Sequence, residues 1–95
     1  MQSEKLIENS IKRHLDGLGG FYVKTHGNMF SSSGTPDILA CINGRFVAIE
    51  VKRPGGRVSA LQQAKINLIR DAGGIAFVAY SLEETKQNLE KFNLI

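Results

Sequence analysis

Two short segments carry the residues best suited to chemistry, Gly34-Thr35-Pro36-Asp37 and Ile49-Glu50-Val51-Lys52. Between them lie two apolar runs separated by Asn43-Gly44, and Asn-Gly between strand-like residues is the strongest short-range signal for a β-hairpin. A two-residue turn there sets Ile42 opposite Arg45 and, reading outward, Asp37 opposite Glu50. Directly opposed side chains on one face have Cβ atoms about 4.5–5.5 Å apart, close enough for two carboxylates to repel. A cation between them removes the conflict. Lys52, two residues past Glu50, projects from the same face. Asp, Glu and Lys converging at a strand end are what a hard divalent metal and an attacked phosphodiester require. Oxygen donors of this kind select Mg²⁺ or Mn²⁺ over Zn²⁺.

Plain structural roles compete with this reading. An Asp after Pro often opens a strand or caps a turn, a strand-end Glu is often solvated, and a Lys beside it often snorkels back to it. Glu50, however, lies between apolar Ile49 and Val51, late in a strand expected to be central. A half-buried carboxylate there needs a partner. Lys52 then serves to neutralise the phosphate in the transition state or to orient the attacking water.

The elements that position these residues follow from periodicity. Ile7, Ile11, Leu15 and Leu18 recur at helical spacing, so residues 3–18 read as a helix ended by Gly17, Gly19 and Gly20. Phe21–Thr25 is a short strand and His26–Gly34 a polar loop. Asp37–Ile42 and Arg45–Lys52 form the hairpin, and Arg53–Val58 is a loop containing Pro54-Gly55-Gly56. Ser59 with Gln62 makes a capping box at the start of a second helix, which Leu61, Ala64, Ile66, Leu68 and Ile69 supply with apolar surface and Gly73-Gly74 end. Ile75–Tyr80 is a continuous apolar run, the mark of a strand buried on both faces. Ser81 with Glu84 reads as another capping box, opening a closing helix that carries Leu82, Leu89 and Phe92. The order is α-β-β-β-α-β-α, an α/β class with a mixed sheet of about four strands flanked by helices. The helix between the third and fourth strands implies a parallel, right-handed crossover.

Asp37 followed by Glu50-Val51-Lys52 on the neighbouring strand resembles the PD-(D/E)xK nuclease signature, with Pro36 as its leading proline. The stretch Gly34 to Ile38, then Ala48 through Arg53-Pro54-Gly55-Gly56-Arg57 to Gln62, is similar to the VRR-NUC branch of that superfamily, and Gly73-Gly74 also fits. The resemblance covers nearly the whole chain and implies one stand-alone nuclease domain over residues 1–95 with a restriction-endonuclease-like core. It further implies a Mg²⁺- or Mn²⁺-dependent DNA endonuclease with Asp37 and Glu50 as metal ligands and the Val51 carbonyl as a third. In relatives an N-terminal helix adds a glutamate that touches the metal directly or through water. Glu4 and Glu8 both qualify. Spacing to Phe21 favours Glu8, and Glu4 fits better as a first-turn residue favoured by the helix dipole. Gln62 matches a glutamine of the family pattern, while capping alone also explains it. Close relatives act on branched DNA such as four-way junctions, and related junction resolvases are symmetric dimers. A general or restriction-like nickase, and a non-catalytic nucleic-acid-binding module, are the alternatives; a small α/β interaction domain leaves the facing carboxylates unexplained. The family implies a phage or bacterial source.

Arg53, Gly55, Gly56 and Arg57 form a basic, glycine-bearing loop running into a helix N-terminus, which offers charge and backbone N–H groups to DNA phosphates; a mere turn is the alternative. Lys24, His26 and Asn28 flank the polar loop and are further candidates to approach DNA. Lys and Arg exceed Asp and Glu by twelve to nine, a net +3 that permits a polyanionic partner without proving one. The lone Cys41 forms no intramolecular disulfide, suits a reducing cytoplasm, and is expected to be a buried small hydrophobe. The histidines lack zinc-like spacing. No signal-like or membrane-length apolar stretch occurs, so neither secretion nor a membrane span is expected. A domain of 95 residues has a small core, which makes a homodimer plausible, with Leu89–Ile95 either part of its interface or docked on its own domain.

Overall fold

A computed structural model describes residues 3–25 and 33–95. Ser3 caps the first helix by accepting the Leu6 N–H on its Oγ, and α1 runs over Glu4–Gly17 with Ile7, Ile11 and Leu15 buried along one stripe. Then come β1 (Phe21–Lys24), β2 (Ile38–Ile42), β3 (Arg45–Val51), α2 (Ala60–Asp71), β4 (Ile75–Ala79) and α3 (Leu82–Lys91), the order that periodicity predicts. The four strands form one sheet in the order β1-β2-β3-β4. The first three are mutually antiparallel, and β4 joins β3 in parallel after the α2 crossover.

The β2–β3 register is the one the turn dictates. Ile42 pairs with Arg45 and Ile38 with Ile49. Asn43 and Gly44 take φ of 51° and 79°, the positive values that a two-residue turn matching the strand twist requires. Asp37 lies one position beyond the last pair, across from Glu50.

Each face of the sheet packs differently. Ile38, Ala40 and Ile42 of β2, Val47, Ile49 and Val51 of β3, and Ile75, Phe77 and Ala79 of β4 meet the stripe of α1 and Leu89 of α3. The opposite face holds a smaller cluster in which Ala48, Ala76 and Val78 meet Ile66 and Ile69 of α2. Because α2 sits over β3 and β4 only, the β1–β2 half of that face is open. Phe21, Val23 and Phe46 are exposed there.

Three expectations are corrected. Cys41 is exposed, not buried, because it sits on the open half of the α2 face. Leu61 and Leu68 are exposed as well: they stand seven residues apart on the outer side of α2, leaving Ile66 as its buried residue. At α3 only half of the expected capping box forms, with Ser81 Oγ accepting the Glu84 N–H. The Ser59–Gln62 box is complete.

The C-terminal segment docks on its own domain. Leu94 is buried in the α1 core, Asn43 Nδ2 donates to the Leu94 carbonyl at 2.7 Å, and Arg45 Nη1 donates to the Phe92 carbonyl at 2.8 Å. No helix among the described residues is long and apolar enough to cross a membrane.

Candidate active site

The hairpin brings Asp37, Glu50, Val51 and Lys52 to one end of the sheet. Asp37 Oδ2 accepts the Val51 N–H at 2.8 Å, so β3 itself fixes one carboxylate oxygen. In an extended strand a residue's N–H and C=O leave on the same side, so the Val51 carbonyl also points toward Asp37. Glu50 alternates with Phe46 and Ala48 and therefore faces α2. From that helix Gln62 Nε2 donates to Glu50 Oε2 at 3.1 Å, while its Oε1 accepts the Ser59 N–H at 2.9 Å. Gln62 thus both caps α2 and reaches the site. Lys52 Nζ stands 3.8 Å from the same Glu50 Oε2.

Glu50 is only 2% exposed, and its Oε1 is buried with no hydrogen-bond partner. Burial pushes its carboxyl up to about 8, and the neighbouring Asp37 carboxyl adds to the rise; Lys52 opposes it, and the charge of Glu4 adds slightly. A buried carboxylate with one oxygen tied to protein and the other unpartnered is poised for an external cation. Asp37 supplies a second carboxylate and Val51 a backbone oxygen, a hard donor set that fits Mg²⁺ or Mn²⁺. Among the described residues no three His, Cys, Asp or Glu side chains are grouped to hold a metal. An ion here would be held by the two carboxylates together with the main chain.

Glu8 is buried at 6% exposure. Lys24 Nζ lies 2.7 Å from its Oε1, Lys12 Nζ 2.9 Å from its Oε2, and Lys5 Nζ 3.9 Å from its Oε2. Burial alone would raise the Glu8 pKa, but the ammonium groups of Lys24 and Lys12 overcome it and hold it below its ordinary value. Lys24 also stands 3.5 Å from Asp37 Oδ1. Desolvation would lower its pKa, and Glu8 and Asp37 together raise it. Lys24 is thus drawn into the site and not left free on the surface. Nothing in the sequence pointed to Lys12 beyond its i,i+4 spacing from Glu8. Glu4, the other candidate helix acid, is exposed.

Beyond β3, Gly56 N–H donates to the Arg53 carbonyl at 2.8 Å and closes a turn over Pro54-Gly55. Arg53, Gly55 and Arg57 are exposed and Gly56 partly so. His26 and Asn28 lie outside the described residues.

Gly34 positions the other side of the site. Its φ is +84°, and a Cβ there would lie 2.6 Å from the Leu61 carbonyl carbon and oxygen in the first turn of α2. The Gly-Thr-Pro-Asp segment therefore packs backbone to backbone against the helix that carries Gln62. Gly34→Ala is expected to cost at least about 2 kcal/mol, since the substitution both strains φ and clashes with fixed backbone. Chemical denaturation compared with wild type measures it, and an unchanged midpoint would contradict this packing.

The sequence matches the family model for the VRR-NUC domain over residues 4–83. Its fold is similar to a solved structure described as a VRR_NUC domain, 23% identical, with a TM-score of 0.80 over 94% of this chain and 97% of that one. It is also similar to a VRR_NUC domain protein, 16% identical, with a TM-score of 0.74 over 94% and 89% of the two chains. The Holliday junction resolvase Hjc of Archaeoglobus fulgidus is 27% identical, with a TM-score of 0.58 over 77% of this chain and 64% of that one. No curated protein matches the chain.

Proposed function

This chain belongs to the VRR-NUC family of nuclease domains, and from that premise we propose that residues 1–95 form one divalent-metal-dependent DNA endonuclease domain acting on branched DNA such as four-way junctions. The observation that carries the proposal is the buried Glu50 carboxylate, its Oε1 unpartnered, beside Asp37 and Lys52. Asp37, Glu50 and the Val51 carbonyl would hold Mg²⁺ or Mn²⁺. Such an ion supplies Lewis-acid stabilisation of the phosphodiester and eases deprotonation of water.

The chain's own residues do the rest. Gln62 and Lys52 hold Glu50 by its Oε2, leaving Oε1 free. The Val51 N–H locks the Asp37 carboxylate in orientation. Lys52, with its side chain 14% exposed, brings a positive charge to bear on the negative charge that develops on the phosphate, where low dielectric strengthens it. Arg53 and Arg57, with the Gly55-Gly56 turn between them, grip the DNA backbone beside the site. Branched DNA as substrate is supported by the likeness to Hjc, which is a Holliday junction resolvase.

The proposed assembly is a homodimer, which places two sites on a two-stranded target. The open apolar strip of Phe21, Val23, Cys41 and Phe46 is its contact surface, in place of the C-terminal segment, whose Leu89 and Leu94 dock on their own domain. Phe21→Glu, at a side chain 71% exposed, is expected to leave the fold intact and shift light scattering at micromolar concentration from dimer to monomer. A wild-type monomer would refute this interface.

The deciding experiment compares metal-dependent cleavage of a labelled four-way junction and a labelled linear duplex, with Asp37→Asn as control. Preference for the junction supports the proposal. Equal cutting of both reduces it to a general nickase, and binding without cutting indicates a non-catalytic module.

A further inference from the structure

We propose that Tyr80 is a further DNA-binding residue of the site: its hydroxyl donates to a backbone phosphate beside the one that is cut. The inference rests on the reading of Asp37, Glu50 and Lys52 as a nuclease site. Glu50 pairs with Val78, and Val51 with Ala79, at the end of the parallel β3–β4 ladder. The Lys52 N–H then donates to the Ala79 carbonyl at 3.0 Å. That bond carries the ladder one step further and sets Tyr80 beside Lys52. Paired residues of parallel strands share a face. Tyr80 therefore continues the series Ala76, Val78 on the α2 side of the sheet, the side of Glu50. Adjacent strands lie about 4.8 Å apart, so Tyr80 stands one strand step beyond Lys52. In the order β2-β3-β4 that step leads away from Asp37.

Among the described residues the Tyr80 hydroxyl makes no hydrogen bond. The chain's other tyrosine differs. Tyr22 packs against the α1-face core, and its hydroxyl stands 3.5 Å from Asp16 Oδ2. Tyr80 is half-buried and belongs to neither core cluster. A phenol so placed keeps a donor that a ligand or water must satisfy. Lys52, Arg53 and Arg57 gather positive charge at the same end of the sheet, which draws the DNA backbone there. Tyr80 adds to them a directed contact that carries no charge.

The test uses the full chain as wild type, Tyr80→Phe and Tyr80→Leu. Binding of a labelled four-way junction is measured by fluorescence anisotropy in metal-free buffer, and steady-state cleavage in Mn²⁺. Tyr80→Phe is expected to raise Kd and KM about three- to tenfold, the worth of one hydrogen bond. Its kcat and melting temperature are expected to stay at wild type, because the contact is made equally before and during reaction. Tyr80→Leu is expected to lose at least as much affinity. Wild-type affinity in Tyr80→Phe would overturn the proposal, and weak binding by Tyr80→Leu alone would assign the role to the ring. A salt series reads the contact independently. The slope of log Kd against log salt is expected to be the same in Tyr80→Phe as in wild type, since a neutral donor releases no counterion. A shallower slope would mean that the substitution acts by displacing Lys52, and would also overturn the proposal. Asp37→Asn keeps the two readings apart: undiminished cleavage by that variant refutes the metal site, while metal-free binding still decides Tyr80.

Discussion

Glu50→Gln is expected to abolish metal-dependent cleavage, by about 10³-fold or more, and at the same time to stabilise the metal-free protein at alkaline pH. The two effects have one cause. Burial and Asp37 raise the Glu50 carboxyl from 4.5 to about 8, so the folded chain holds a proton there that the unfolded chain releases near 4.5. The stability gained from that proton is fully present below about pH 4.5 and is lost as pH rises through about 8. Each tenfold change in proton affinity is about 1.4 kcal/mol, and relaxation of the site brings the net loss to about 2–4 kcal/mol, on the order of 10 °C in melting temperature. Glutamine is neutral throughout and retains an oxygen for Gln62. The variant is expected to match wild type at pH 5 and to melt higher at pH 9. Metal-free thermal scans at the two pH values measure this. A wild type whose melting temperature holds constant from pH 5 to 9 would refute the buried-carboxylate description.

Lys52→Met is expected to lower kcat by about 10²–10³-fold while leaving Mn²⁺ affinity equal to wild type or tighter. Methionine fills the space of the alkyl stem, so packing changes little. What disappears is an ammonium 3.8 Å from Glu50 Oε2, too far for a hydrogen bond and too close for its field to be negligible. A residue that merely shaped the site would, when removed, weaken metal binding and rate together. Single-turnover cleavage at saturating Mn²⁺, with calorimetry alongside, separates the two outcomes. Wild-type kcat in Lys52→Met would exclude Lys52 from the chemistry.

The hairpin and the residues it carries were legible because a two-residue turn leaves no freedom of register. Once Asn43-Gly44 is read as the turn, parity alone puts Asp37 and Glu50 on one face, and the observed pairs follow that count. Gln62 was legible by position, although its two ends proved to serve both cap and carboxylate. Other contacts depend on how layers meet, which local pattern does not encode. Cys41 lies in an apolar run that reads as buried, and only the offset of α2 toward β3 and β4 uncovers it. Leu61 and Leu68 mislead because they lie on the outer side of α2, away from the sheet. Lys24 at the end of a four-residue strand gave no sign that it would turn inward, because its partners Glu8 and Asp37 come from a helix and a strand end that meet only in the assembled fold.

Among the described residues, the side-chain hydrogen bonds that join Glu8, Lys24, Asp37, Val51, Glu50 and Gln62 each close a loop of moderate length. Lys24 to Glu8 reaches back 16 residues, Lys24 to Asp37 13, Val51 to Asp37 14, and Gln62 to Glu50 12. The bonds that fasten the C-terminus, Asn43 to Leu94 and Arg45 to Phe92, span 51 and 47. Loops of the first kind close at lower entropic cost and form sooner than the second. The contacts at the candidate site are therefore expected to close before the C-terminal tether. Neutralising Glu50 should then accelerate refolding, whereas weakening the tether at Asn43 should act mainly by hastening unfolding.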